Sequence, residues 1–225
     1  MPGLFISFEG GEGSGKTTQL KALLTHLRST GRDAIETRDP GGTPIGKQIR
    51  ALLLDRENTR MAPATELLLY EASRAQLVHE VVRPALTTGR IVLCDRFTDS
   101  TVAYQGYGRG LDLELIARLN ALATDGLRPD LTFLLDLDPE VGLLRATQRV
   151  AGRQESQDRI EEEVLAFHQR VRTGYRAMAA AEPERVILLD ASLGMAQIEG
   201  RIRPRVDELL RSSPRPAGPP SPAQR

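Results

Sequence analysis

The chain predicts an α/β fold, a five-stranded parallel sheet covered by helices on both faces, on three observations. Short apolar segments alternate with longer segments of helical periodicity. Those short segments are almost continuously apolar, as strands buried on both faces are. A glycine-rich loop separates the first of them from the first helical segment.

In order, the expected strands lie at 4–8, 33–37, 90–95, 131–137 and 185–189, and the helices at 16–30, 43–54, 64–86, 113–123, 139–150, 159–181 and 195–210. Leu4-Phe5-Ile6-Ser7-Phe8 is bounded by glycines. The second strand is weaker, and the third, Arg90-Ile91-Val92-Leu93-Cys94-Asp95, carries a carboxylate at its end. Pro84, late in the third helix, is expected to kink or end it. No internal repeat is visible. From 212 onward the chain reads SSPRPAGPPSPAQR, which cannot bury enough apolar surface to fold. The reading is one domain at 1–211 and a disordered tail at 212–225.

Length agrees with a single core. Thirty basic and thirty acidic residues leave no net field to attract polyanions, so neither wholesale nucleic-acid binding nor membrane-surface binding is suggested. The single cysteine, Cys94, excludes an intrachain disulfide and fits a reducing compartment. No apolar run approaches the roughly 18 residues of a membrane span, and Met1-Pro2-Gly3-Leu4 lacks a basic leader region. A cytoplasmic protein is expected. His26, His79 and His168 lack ligand spacing, so no zinc site is expected. Cys94 is expected to be a buried small hydrophobe.

The strongest chemical signal is Gly10-Gly11-Glu12-Gly13-Ser14-Gly15-Lys16-Thr17, which fits G-x-x-x-x-G-K-[ST] between a strand and a helix. Glycines let backbone N–H groups converge on phosphate oxygens at a helix N-terminus that already favours anions. Lys16 is expected to reach the β- and γ-phosphates and Thr17 to ligate Mg²⁺. Thr18 completes the nucleotide-binding stretch. Asp95, at the tip of an apolar strand, is the candidate second metal ligand, with Arg96 next to it. Ligands in such folds sit at the C-terminal ends of the strands.

Five segments together carry a resemblance: FEGGEGSGKTTQ (8–19), TRDPGGTPIG (37–46), ASRAQLV (72–78), CDRFTDSTVAYQGYGRG (94–110) and LRPDLTFLLDL (127–137). In order and content the chain resembles the bacterial thymidylate kinase family from about residue 3 to about 210. The resemblance implies a P-loop NTP hydrolase/kinase fold with a mobile lid at about 139–160. It implies phosphorylation of dTMP to dTDP with ATP and Mg²⁺, in dTTP synthesis, by a homodimer.

The same resemblance implies site residues. Glu12 would take the 3′-hydroxyl of the acceptor sugar, the alternative being an outward-pointing side chain. Arg96, Arg38 and Arg50 would hold the acceptor phosphate, guanidinium being suited to a phosphate dianion; for Arg50 a solvated helix-face charge remains open. Tyr70 would stack on the base where Phe is usual, its hydroxyl needing a partner. Arg74, four residues on and facing the same way, would bond O4. Thr101, Tyr104 and Gln105 would surround base and sugar, Tyr104 crowding a 2′-hydroxyl. Arg145, Arg149 and Arg153 recur at every fourth residue. With Gly13 following Glu12, the chain resembles members whose charge-stabilising arginine comes from the lid, so Arg149 and Arg153 lead, with Arg159 third. A solvated face is the alternative. Asp39 stands where Glu is common and Phe97 where Tyr or His is.

Two other functions stay in view. A kinase of another nucleoside monophosphate would differ at Tyr70, Arg74 and Gln105. A guanine-nucleotide switch would carry N-K-x-D, which does not occur.

Overall fold

A computed structural model describes residues 3–151 and 158–212. The chain runs β1 (Phe5–Glu9), α1 (Lys16–Ser29), β2 (Ala34–Arg38), α2 (Pro44–Leu54), α3 (Pro63–Leu77), α4 (Arg83–Thr87), β3 (Ile91–Asp95), α5 (Thr98–Thr101), α6 (Leu113–Thr124), β4 (Leu131–Asp136), α7 (Pro139–Ala151), α8 (Leu165–Ala181), β5 (Val186–Asp190) and α9 (Met195–Ser212). The strands form one parallel sheet in the order β2-β3-β1-β4-β5.

Side chains of the central strands β1, β3 and β4 alternate between two covered faces, which is why these strands read as nearly continuous apolar runs. Ile6, Phe8, Leu93, Leu131, Phe133 and Leu135 pack under α1 and α9, against Leu20, Leu23, Leu27, Ile198, Ile202 and Val206. On the opposite face Phe5, Val92 and Cys94 meet Leu77, Val78, Val82 and Phe97. Beside them Leu134 and Val186 meet Tyr104, Phe167, Val171 and Tyr175. Phe5 and Phe97 touch edge to face at 4.9 Å, an arrangement that adds about 1 kcal/mol beyond the buried area.

Three departures from the expected elements have local causes. The helix expected at 64–86 runs through but widens into a π-helical segment at Val78–Val82, where the Arg83 N–H reaches back to the Val78 carbonyl. The wider turn relieves the clash that the Pro84 ring makes with the preceding turn, so the chain is neither stopped nor sharply broken. The helix expected from 159 starts at Leu165. Ahead of it, Asp158 Oδ1 accepts from the N–H groups of Ile160 and Glu161, an alternative to helical bonding. Finally, 98–108, expected only as a motif, is helical: α5 passes into a π-helical segment at Val102–Gly108.

Candidate active site

The C-terminal ends of β1, β2, β3 and β4 open onto one region, and the phosphate-binding loop leaves the central strand, β1. Gly15 ends the loop in the left-handed region, φ 91°, and α1 begins directly after it, so Lys16 is its first residue. Lys16 is 8 % exposed, not the exposed loop residue that position suggests. Its Nζ donates to the carbonyls of Gly10 at 3.0 Å and Gly11 at 2.7 Å. Burial, helped by Arg96, lowers its pKa to about 8 against the pull of Glu12, Asp95 and Glu9. Thr17 Oγ1 donates to Asp95 Oδ2 at 2.6 Å, so the two expected metal ligands adjoin. Thr18 is exposed in the first turn of α1.

Gly13, φ 64°, faces α7 at close approach. A Cβ there would collide with the Gly142 carbonyl, and a Cβ on Gly142 would collide with the Glu12 carbonyl. Two glycines thus let α7 lie directly against the phosphate loop.

Arg96 sits at φ 71°, a left-handed conformation that a non-glycine residue adopts only when its surroundings impose it. Its N–H donates to the Phe8 carbonyl, and the next N–H, of Phe97, donates to Glu9 Oε1 at 2.6 Å. The guanidinium lies over the Tyr104 ring at 4.9 Å and donates to Glu12 Oε1 at 2.7 Å, the Gly10 carbonyl and the hydroxyls of Tyr104 and Tyr175. Tyr104 also donates to Glu12 Oε1 at 2.8 Å. Burial pushes the Glu12 carboxyl up, but Arg96, Lys16 and Tyr104 overcome it and hold it at about 2. Glu12 therefore points inward, and the outward alternative is excluded.

A cleft of about 520 Å³ beside the loop is lined by Glu12, Asp39, Arg50, Tyr70, Arg74, Arg96, Thr101, Tyr104, Gln105 and Asp158, with Pro40, Leu54, Ser100 and Ile160 completing it. It gathers every expected acceptor-site residue except Arg38. That side chain, one position past the alternation that would turn it inward, is exposed at the end of β2. Arg50 is not a free helix-face charge: Nη1 donates to the Pro40 carbonyl at 3.3 Å. Thr101 Oγ1 is buried with no protein partner among the described residues, and the Tyr70 hydroxyl lies where burial and Glu66 raise its pKa.

Arg74 is only 1 % exposed. Nε donates to Asp39 Oδ2 at 2.6 Å, and Nη1 to Glu71 Oε1 at 2.9 Å and Asn120 Oδ1 at 2.6 Å. Asp39, standing where Glu is common, thus holds Arg74 together with Glu71 and Asn120. Burial raises the pKa of Asp39, with Arg74 opposing it.

Of the lid arginines, Arg153 lies outside the described residues and Arg149 is described only as part of α7. Arg145, one turn earlier, donates to the Ala191 carbonyl at 3.3 Å. Arg159, third among the candidates, is tied into the protein: Nε donates to the Leu53 carbonyl at 2.9 Å and Nη2 to Glu66 Oε2 at 2.6 Å.

Sequence reasoning missed three buried groups that order the site. Glu9, at the end of β1, accepts from Phe97 N–H, from Ser100 Oγ at 2.6 Å and from Tyr175 at 2.7 Å. Burial and Asp99 raise its pKa to about 7. Glu66 gathers Gln105, Arg109 and Arg159, and Asn120 supports Arg74. A carboxylate closing an apolar strand was the one available signal, and it marks Glu9; nothing local marks Glu66 or Asn120.

The model of the family described as Thymidylate kinase matches residues 8–202. The chain is 57 % identical over 201 residues to the thymidylate kinase of Geotalea uraniireducens, covering 89 % of this chain and 94 % of the relative. It is 53 % identical over 214 residues to that of Geobacter sulfurreducens, covering 95 % and 99 %. The crystal structure of thymidylate kinase from Ehrlichia chaffeensis superposes with a TM-score of 0.70 at 32 % identity, covering 94 % of this chain and 99 % of that one.

Proposed function

The chain belongs to the thymidylate kinase family, ATP-dependent enzymes that phosphorylate dTMP to dTDP, and from that premise we propose how its own residues perform the reaction. The observation that carries the proposal is one carboxylate, Glu12, bonded to Arg96 and Tyr104 where the phosphate loop meets the acceptor cleft.

The loop from Gly10 to Thr18 cradles the ATP phosphates through its backbone amides, and Lys16 turns from the Gly10 and Gly11 carbonyls to phosphate oxygens. Arg96 and Arg50, with Arg38 from the rim, hold the dTMP phosphate. Glu12 accepts from the sugar hydroxyl, Tyr70 stacks on thymine, and Tyr104 crowds the ribo position. An anionic dTMP oxygen forms a bond to the γ-phosphorus in line as the β–γ bridging bond breaks, and ADP leaves. No general base is needed. Lys16, Arg96 and, from the lid, Arg149 and Arg153 neutralise charge on the transferring group.

Magnesium fits the donor set. Thr17 and Asp95 bring two hard oxygens together beside the loop, and among the described residues no cluster of three acidic, histidine or cysteine side chains could hold an ion alone. That suits an ion bound by few protein oxygens and several phosphate oxygens. Thr17 and Asp95 would hold it, and when bound it supplies charge neutralisation across the β- and γ-phosphates.

We further propose a kinase domain at 1–211, a homodimer, and a cytoplasmic location. The dimer is supported by exposed Ile45, Leu52, Leu68, Leu115 and Leu122 on α2, α3 and α6, helices that pack side by side. The location is supported by the lone thiol and by the fact that no described helix is long and apolar enough to cross a membrane. Coupled ADP release against a panel of monophosphates tests the acceptor assignment. Turnover of dTMP and dUMP with strong rejection of dCMP is expected. Equal use of dCMP would move the reading to a kinase of another monophosphate.

A further inference from the structure

We propose that Glu66, which lies outside the cleft lining, is a positioning residue for acceptor choice: it fixes which end of the Gln105 amide faces the base. The inference rests on reading the cleft as the dTMP site.

Glu66 stands in the first turn of α3 and is 1 % exposed. Its oxygens accept from Gln105 Nε2 at 2.8 Å, Arg109 Nε at 3.1 Å, Arg109 Nη2 at 3.0 Å and Arg159 Nη2 at 2.6 Å. Burial raises its pKa, but these donors outweigh burial and the net shift is downward, so at neutral pH it is a carboxylate. A carboxylate only accepts. The end of the Gln105 amide turned toward it must therefore be the NH₂, because turning the amide over would set oxygen against oxygen in a dry interior.

That choice has a consequence on the other side. Gln105 lines the cleft with Tyr70, Arg74 and Thr101, and its Oε1 accepts from no side chain among the described residues. The cleft thus offers a donor, the Arg74 guanidinium, and an acceptor, Gln105 Oε1. Thymine and uracil present the complement, a carbonyl and a ring N–H. Cytosine presents an amino group and a bare ring nitrogen, which sets donor against donor and acceptor against acceptor. Without Glu66 the amide is free to turn, and half of that code is lost.

Glu66 is itself immobilised. Arg109 is gripped by Glu163 at 2.5 Å and lies over the Phe167 ring at 4.6 Å, and Arg159 is held by the Leu53 carbonyl. Two guanidinium groups already neutralise the carboxylate. The amide adds little to that neutralisation, and what it gains is an orientation.

The test is steady-state kinetics of Glu66→Gln against wild type with dTMP and dCMP. The expected result is a dTMP KM raised roughly tenfold with kcat kept, and a dTMP-over-dCMP preference in kcat/KM reduced by at least about tenfold. An unchanged preference, even with lowered thermal stability, overturns the proposal and leaves Glu66 a structural ion. Wild-type protein inactive on dTMP would instead overturn the reading of the cleft. Should Glu66→Gln not fold, the Gln105 side-chain ¹⁵N–¹H₂ signal of wild type decides, assigned by its loss in Gln105→Leu. Slow exchange with solvent, unchanged when dTMP is added, is expected because the NH₂ stays on Glu66. Exchange as fast as that of a surface glutamine, or a large shift on adding dTMP, overturns the proposal.

Discussion

Arg96 concentrates the chemistry and the strain of the site in one residue. Its left-handed backbone is secured by the bond between Phe97 N–H and Glu9, so a buried carboxylate outside the cleft lining supports the residue proposed to hold the acceptor phosphate. Glu9 and Glu12 titrate in opposite senses. The Glu9 pKa is raised in the fold to about 7 from an ordinary 4.5, so its contribution to stability is fully present below pH 4.5 and is lost as pH rises toward 7. Glu12, held at about 2, contributes above 4.5 and loses its contribution as pH falls toward 2. Glu9→Gln cannot ionise, so its melting temperature should be flatter than wild type between pH 4.5 and 7 and compare most favourably with wild type near pH 8. Parallel profiles from differential scanning calorimetry would show that Glu9 titrates normally. Residues of the site were legible where they sit in contiguous motifs, as Lys16, Thr17, Asp95 and Arg96 do. Glu66 and Asn120 were not, because what ties them to the site is a partner 39 and 46 residues away.

At the scale of elements, the contact between Gly13 and Gly142 sets how near α7 comes to the phosphate loop. The loop has no room there for an arginine, which accords with charge stabilisation from the lid. Arg149→Ala with Arg153→Ala should lower kcat by roughly 10³-fold, the magnitude of arginine fingers, with the KM for dTMP little changed. Gly142→Ala, which pushes α7 off the loop, should lower kcat in the same direction. Wild-type kcat in the double variant would return the stripe to a solvated face. The expected elements exist where the periodicity placed them, and the departures, in the two longest helical segments, lie at particular residues. Asp158 bonded to the following amides in place of a helix, and Pro84 was accommodated by a widened turn that no sequence pattern announced.

For the whole molecule, the sheet was legible because the central strands β1, β3 and β4 are buried on both faces and lack polar alternation, whereas the edge strand β2, AIETR, was the weakest signal. The face proposed for association was not legible, since exposed leucines look the same in a sequence as core leucines. Leu68 is 56 % and Leu122 78 % exposed, and burying a leucine of this kind contributes about 2 kcal/mol. Leu68→Glu with Leu122→Glu should therefore convert a dimer to a monomer in light scattering. A wild-type monomer, or a double variant still dimeric, would remove this face from the interface. The position of β1 also bears on how the protein is made. The central strand leaves the ribosome before the strands it pairs with: it is tied to the β3 turn 88 residues later and to β4 125 residues later. At ordinary translation rates a nascent chain waits on the order of ten seconds before that strand has both neighbours. During that interval Phe5, Ile6 and Phe8 have nowhere to hide, and the newborn phosphate loop hangs from a strand that has not yet become part of a sheet.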